Sequence, residues 1–359
     1  MKKTWMIYGA SGYTGELIAR LAVENGYTPI LAGRSKEKFN SLAQELNLET
    51  SVYSLDDPKM IKEHLAGIDL VLHCAGPFRS TSSPMIEGCL LSNTHYLDIT
   101  GEVDVFEHTH AKKQAGRAEK AGVILCSGVG FDVIPTDCTA LKLKELVPDA
   151  THLSLGFDSD SGISPGTFKT MVHGLSSGSL ERKNTEINAF PIGKKKRTID
   201  FGRGKRTATA IPWGDVSTAF HTTGIPNIST WIPMPASTIR AARFMSFFGP
   251  VLGTAPIQKA LLHLVDIKVS GPDESSRDTS PAYIWGEARN DAGEQYTVRI
   301  QTPNVYSLTA AGALEVTVRI LDQANPSGGS FTPAGMFGSK LIEELPGCGR
   351  FEVEHEKLY

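Results

Sequence analysis

An α/β class is predicted for this chain: a doubly wound parallel sheet over its first 134 or so residues, followed by a second domain of α+β type. Three observations predict it. Short, wholly apolar runs alternate with helical periodicity up to about residue 134, a glycine-rich string directly follows the first run, and after about residue 137 the pattern shifts to longer runs joined by turns. Continuous apolar runs, each followed by a helix, indicate strands covered on both faces. The length of 359 residues exceeds what one core usually supports, so about two domains are expected.

Taken in order, candidate strands fall at 5–8, 29–32, 51–54, 70–74, 96–99 and 123–126, with helices at 13–24, 35–46, 58–64, 84–91 and 103–120. A helix at 138–146 then ends before Pro148, and a strand follows at 153–157. After these come a Gly/Ser/Pro-rich loop at 158–166, a helix at 167–175 and a polar, basic stretch at 182–206. Further strands are expected at 229–232, 266–270, 281–288 and 295–301, the last two joined as a hairpin across Asn290, Asp291, Ala292 and Gly293. In the tail, Val305, Leu308, Leu314, Val318 and Leu321 recur at helical spacing. Thr332 and Pro333 then supply an N-cap and a first helical residue for a second helix, which runs to about Leu345 and stops at Gly347. The expected domains are 1–134, an α+β substrate domain at 135–302, and C-terminal helices at 303–359 that return to the first domain.

Composition excludes several classes. A formal net charge of −3 gives no general attraction for nucleic acid or an anionic membrane. The five cysteines, Cys74, Cys89, Cys126, Cys138 and Cys348, are odd in number and never spaced as CxxC. That argues against a disulfide framework or a zinc site and fits the cytoplasm. The apolar run behind Lys2 and Lys3 stops at Gly9, short of the roughly 7–15 residues of a signal peptide. No stretch reaches the roughly 18 apolar residues of a membrane span.

The string Gly9, Ala10, Ser11, Gly12, Tyr13, Thr14, Gly15 stands after a strand and opens a helix. Glycines there permit a tight turn, close approach of backbone N–H groups to a pyrophosphate and close helix packing, which is the phosphate loop of a dinucleotide-binding Rossmann domain. The second strand ends in Ala32, Gly33, Arg34, Ser35, with no Asp or Glu from 29 to 36. An acidic residue at this point would bind the ribose of NAD, whereas an arginine accommodates a 2′-phosphate. Arg34 and Ser35 therefore point to NADP(H).

Further candidates end later strands: Ala75, Gly76, Pro77 and Phe78 after the fourth, Gly101 and Glu102 after the fifth, Asp132 after the sixth. Ligands of open α/β sheets lie at these carboxyl ends. Gly76 and Pro77 are placed to run along the nicotinamide ribose, and Asp132, then Glu102, are the candidates for relaying a proton or positioning substrate. Each carboxylate also has a plainer reading as a cap or turn former. No tyrosine has a lysine four residues on, so the Tyr-x-x-x-Lys pair of short-chain dehydrogenases is missing. No metal site is expected.

By these motifs the chain resembles the saccharopine dehydrogenase-like oxidoreductases, in particular the trans-acting enoyl reductase branch. The likeness rests on GASGYTG at 9–15, AGRS at 32–35, AGPF at 75–78, DITGE at 98–102 and GFDVIPTD at 130–137. Weaker echoes are the loop at 161–167 and the tail at 328–334. The resemblance implies an NADP(H)-dependent reductase acting on amino-acid adducts or on the carbon–carbon double bond of enoyl lipid intermediates. GASGYTG is also similar to N-acetyl-glutamyl-phosphate reductases, which carry a catalytic cysteine in mid-chain; here Cys138 falls in a helix candidate and Cys348 near the terminus.

Three readings stand. The first is hydride transfer between NADPH and a small or acyl-type substrate held between the domains, with a second copy of the chain as the expected partner. Here Phe244, Met245, Phe247, Phe248, Leu261 and Leu262, flanked by Arg240, Arg243 and Lys259, fit an acyl channel or a membrane-surface contact, and equally two helices burying a core face. The second is a non-catalytic NADP(H) sensor. The third is a saccharopine-type amino-acid dehydrogenase whose dicarboxylate substrate would be held by Lys194, Lys195, Lys196, Arg197, Arg203, Lys205 and Arg206, although such a run is usually a solvated loop.

Overall fold

The computed structural model describes residues 3–160, 178–246, 280–324 and 326–357. The chain forms two compact units, Met1–Ile134 with Tyr306–Met336 and Pro135–Val305 with Phe337–Tyr359. The loop expected at 161–167, the helix at 167–175, the strand at 266–270 and the apolar stripe beyond Ser246 lie outside the described residues.

The first unit is built on seven strands, numbered with all others in chain order: β1 (Trp5–Tyr8), β2 (Ile30–Gly33), β3 (Thr50–Val52), β4 (Leu70–His73), β5 (His95–Asp98), β6 (Ile124–Cys126) and β15 (Gly329–Phe331). They pair in parallel in the order β15-β6-β5-β4-β1-β2-β3, so the strand order reverses between β1 and β4. The sheet is covered on both faces. Met6 and Tyr8 of β1 join a cluster with Ile61, Met85 and Ile86, while the alternate residues Trp5 and Ile7 are equally buried on the other side. The doubly wound sheet read from the apolar runs is the observed one.

Its helices are α1 (Tyr13–Glu24), α2 (Asn40–Glu45), α3 (Pro58–His64), α4 (Phe78–Ser92), α5 (Val103–His110), α6 (Lys112–Ala121) and, in the returning segment, α10 (Val305–Asp322). Three differ from expectation. The helix at 35–46 is a 3-10 turn, Lys36–Lys38, followed by the short α2, because Phe39 turns inward and packs under Gly33. The helix at 103–120 breaks at Ala111, whose ψ of 133° is extended. The helix at 84–91 starts six residues earlier, at Phe78, with Pro84 inside it. A group from another part of the chain caps this earlier start.

The second unit carries a nine-stranded sheet: β7 (His152–Ser159), β8 (Ser179–Lys183), β9 (Glu186–Phe190), β10 (Lys196–Asp200), β11 (Lys205–Ile211), β12 (Asn227–Pro233), β13 (Ala282–Arg289), β14 (Glu294–Thr302) and β16 (Glu352–Lys357). The main order is β10-β11-β12-β7-β13-β14-β16, with β8 beside β12 and β9 beside β8. All pairs are antiparallel except β12 with β7. One face packs on α7 (Ile134–Leu146) and α8 (Asp215–Thr223) through Leu143, Leu153, Leu155, Ala219 and Val298. A further helix, α9 (Ala236–Ser246), carries the described start of the apolar stripe.

The stretch at 182–206, expected only as polar and basic, supplies all of β9 and β10, the end of β8 and the start of β11. The sheet curls at this edge. Four strand spacings separate β10 from β13, about 19 Å if flat, yet Arg197 on β10 reaches Glu287 on β13 at 2.8 Å. The curl folds Ile199, Phe201 and Ala208 over Trp231 and Trp285 into a small second core. The tail also divides. Residues 303–359 were expected to return as one block, but Phe337–Tyr359 belongs to the second unit, where β16 pairs with β14. The second tail helix is two short pieces, α11 (Pro333–Phe337) and α12 (Leu341–Glu344), interrupted by Gly338 at a φ of +83°.

Candidate functional site

The sequence-predicted residues of the first unit meet at the carboxyl ends of its parallel strands. Gly9 follows β1 with a φ of +92°. A Cβ at this residue would lie 2.7 Å from the backbone nitrogen of Ala75, so the loop after β1 touches the loop after β4 where the strand order reverses. Its N–H donates to the Ala32 carbonyl at 2.8 Å, tying it to β2 as well. Gly15 is buried on α1, and a Cβ there would lie 2.5 Å from the Gly9 oxygen.

Gly12 differs from both. It is exposed, its φ and ψ of −82° and 154° are open to any residue, and a Cβ would meet only the Gly9 oxygen at 3.3 Å. The space in front of it is free, at the head of a helix that has no side-chain cap. The first N–H groups of a helix lack internal partners and face this space with the positive end of the dipole. A cradle that a side chain would fill, at an uncapped helix start, fits a pyrophosphate. Ser11 is exposed beside it, Thr14 is half-buried, and the Tyr13 ring packs edge-on against Tyr306 at 5.1 Å. At the end of β2, Arg34 is exposed and forms no ion pair among the described residues. Ser35 precedes the 3-10 turn without capping it.

Ala75, Gly76, Pro77 and Phe78 are held by residues that motif reading did not single out. The Thr81 hydroxyl donates to the Ala75 carbonyl at 2.7 Å, with the Pro77 carbonyl 3.2 Å away. Having one proton, it accepts from His73 Nε2 at 3.0 Å. His73 is wholly buried between Tyr8, Phe78 and Tyr96, and burial pushes its pKa down to about 3, so it is a neutral hydrogen-bond donor. Nothing in an apolar strand run signals such a histidine.

Glu102 is buried, and its two carboxylate oxygens accept from the backbone N–H groups of Phe78 at 2.9 Å and Arg79 at 3.0 Å. This is the cap that lets α4 begin at Phe78. Both oxygens are thus engaged at the helix start. Removing the cap by Glu102→Ala should lower stability by about 1–2 kcal/mol, read as a shift in the urea midpoint at unchanged slope; an unchanged midpoint would contradict it.

Gly101 and Asp132 do meet. A Cβ on Gly101 would lie 2.4 Å from the Asp132 Oδ2, so the absence of a side chain makes room for that carboxyl. The segment carrying Asp132 is fixed from behind by α10, where Thr309 accepts from the Phe131 N–H at 3.1 Å. Asp132 is half-buried, and desolvation pushes its pKa up to about 7. Asp98 of the same DITGE string is structural. It accepts from Tyr96, Ser127 and the N–H groups of Thr100 and Gly128 at 2.7–3.0 Å, stapling the ends of β5 and β6.

Residues 5–126 match the family described as saccharopine dehydrogenase NADP binding domain. Over 95% of this chain and 94% of its own length, a saccharopine dehydrogenase-like oxidoreductase of Rattus norvegicus is 29% identical. A trans-acting enoyl reductase of Mycobacterium bovis is 29% identical over 41% of this chain and 37% of that protein. In fold, the chain is similar to apo saccharopine dehydrogenase (L-Glu forming) from Saccharomyces cerevisiae, with a TM-score of 0.67 at 11% identity over 98% and 100% of the two chains. No described helix is long and apolar enough to cross a membrane. The first unit thus contains an NADP-binding domain of the saccharopine dehydrogenase type, and the chain resembles the saccharopine dehydrogenase-like oxidoreductases over most of its length.

Proposed function

We propose that this chain is an NADP(H)-dependent oxidoreductase in which Asp132 carries the proton that accompanies hydride transfer to a small or acyl-type substrate. The observation that carries the reading is the Asp132 carboxyl, seated against Gly101 with its pKa raised to about 7. A general acid works best when its pKa lies near the working pH, and few carboxyls hold a proton there. The bound nicotinamide supplies the hydride chemistry. The chain's own residues bind and orient: the loop 9–15 takes the pyrophosphate, Ala75, Gly76, Pro77 and Phe78 run along the nicotinamide ribose, and Glu102 is a positioning residue that holds that segment to α4.

Arg34 takes the 2′-phosphate, with Ser35 beside it. An arginine–phosphate contact contributes about 1.5–3 kcal/mol, so Arg34→Ala should weaken NADPH binding at least tenfold and leave NADH nearly untouched. Equal losses for both cofactors in a fluorescence titration would remove this assignment.

An enoyl double bond is the substrate feature we favour. The resemblance to an enzyme named trans-acting enoyl reductase supports it. The basic stretch that a dicarboxylate substrate would need is largely neutralised within the second unit: Arg197 pairs with Glu287, and Arg203 and Arg206 pair with Asp158 at 2.8 and 2.7 Å. None of the five cysteines is in a disulfide, in keeping with a cytoplasmic enzyme. Mass spectrometry of co-purifying molecules, followed by NADPH oxidation with 2-enoyl thioesters and with keto acids plus amines, tests the reading. Turnover only with keto acids and amines would restore the amino-acid dehydrogenase. No turnover with either class would favour a sensor.

A further inference from the structure

The second unit holds a cavity of about 320 Å³ for which the proposed reaction has no use. It opens on the curled face of the sheet, and its lining is polar except for Leu153 and Ile228. Strand register builds one wall. Asn227 on β12 pairs with His152 on β7, and His152 with Arg289 on β13. Arg182 on β8 pairs with Ile228, which sets Lys183 beside Asn227. Directly paired residues point to the same side of a sheet, so Lys183, His152 and Arg289 line one row.

The next row inward is balanced. Arg197 grips Glu287 through two bonds of 2.8 and 3.2 Å, and Lys195 pairs with Glu181. Ser154 accepts from Arg197 at 3.4 Å, Ser229 accepts from the Trp231 indole at 2.9 Å, and the two hydroxyls bond to each other at 3.4 Å, so the pair keeps one O–H to donate. Lys183 and Arg289 are different. Both are exposed, and neither forms an ion pair among the described residues. The cavity therefore combines two cations without an ion pair among the described residues with one hydroxyl donor inside it.

We propose that this cavity binds a compact, multiply charged anion, either phosphate-bearing or polycarboxylate, with Lys183 and Arg289 taking its charge and the Ser154–Ser229 pair donating its remaining O–H to one of its oxygens. An anion at this mouth meets two exposed cations that form no ion pair among the described residues, and the remaining serine O–H completes the match.

Calorimetric titration of the full chain with inorganic pyrophosphate, and in a second arm with citrate, tests this. The Gly12→Val variant is titrated in parallel, because pyrophosphate also suits the loop at 9–15. The expected result is a saturable event that survives Gly12→Val and weakens at least tenfold in the Lys183→Gln, Arg289→Gln double variant. Both substitutions are at exposed side chains, so the double variant should fold. Binding of pyrophosphate alone would identify a phosphate-bearing ligand, binding of citrate alone a polycarboxylate, and binding of both a site for compact polyanions. The proposal is overturned if neither probe binds, if binding disappears with Gly12→Val, or if the double variant binds as tightly as the parent. None of these outcomes bears on Asp132 or on hydride transfer.

Discussion

Gly12→Val should abolish NADPH binding, by at least a hundredfold in Kd, while the protein keeps its thermal transition. The reason lies in how three glycines of one loop differ. At Gly12 the backbone conformation suits any residue and a Cβ meets only one oxygen at 3.3 Å, so valine costs the fold little. Its two γ-carbons would then occupy the space in front of the α1 N-terminus, where a pyrophosphate must come within hydrogen-bonding distance of backbone N–H groups. Gly15→Val is the contrast. Its Cβ would sit 2.5 Å from the Gly9 oxygen, so helix and strand must separate. The cost should be several kcal/mol, in line with overpacked cores. Calorimetric titration and thermal denaturation of both variants separate the cases; retained NADPH affinity in Gly12→Val would displace the phosphate loop.

Asp132→Asn should lower turnover at least a hundredfold, the lower bound for loss of a general acid, and leave NADPH affinity nearly unchanged. The pH dependence gives a second readout. With its pKa near 7, the carboxyl is protonated below that value and can deliver a proton, so reduction should fall as pH rises through about 7. The residual activity of the Asn variant should lack this limb. Stability provides the control. A carboxyl whose folded pKa is raised favours the folded state when protonated, and that contribution is lost as pH rises from about 4 towards 7. The neutral, isosteric Asn carries no such penalty, so the variant should be at least as stable as the parent above pH 7. Lost turnover with lost stability would mean a structural role instead.

Much of the first unit was legible before any coordinates, because its signals are local. β1, α1 and α3 occur where the pattern put them, and each of the other five strands in the first 134 residues is displaced by two residues or fewer at either end. A strand buried on both faces must be continuously apolar, and a helix packed on it must repeat every three to four residues. Such rules need no knowledge of the rest of the chain. The second unit was less legible for the same reason. β8, β9 and β10 mix charged and apolar residues because they lie towards an edge of a curled sheet, and two of their charges, Glu181 and Arg197, pair with Lys195 and Glu287, which stand 14 and 90 positions away.

The candidate site divides along the same line. A glycine-rich turn before a helix and an arginine after the second strand, the groups proposed to take the pyrophosphate and the 2′-phosphate, can be read from residue type and spacing alone. The fate of the two carboxylates could not be. Glu102 and Asp132 both end strands of the same sheet and look equivalent in a string of letters. Only the packed structure shows that one carboxylate is bound to the N–H groups of α4 while the other rests against a glycine with its proton held to about 7. The physical reason is that protonation depends on desolvation and on hydrogen-bond partners, and both are set by residues distant in sequence. The type of nucleotide is written in contiguous residues; which carboxyl keeps a proton is decided by what the fold brings beside it.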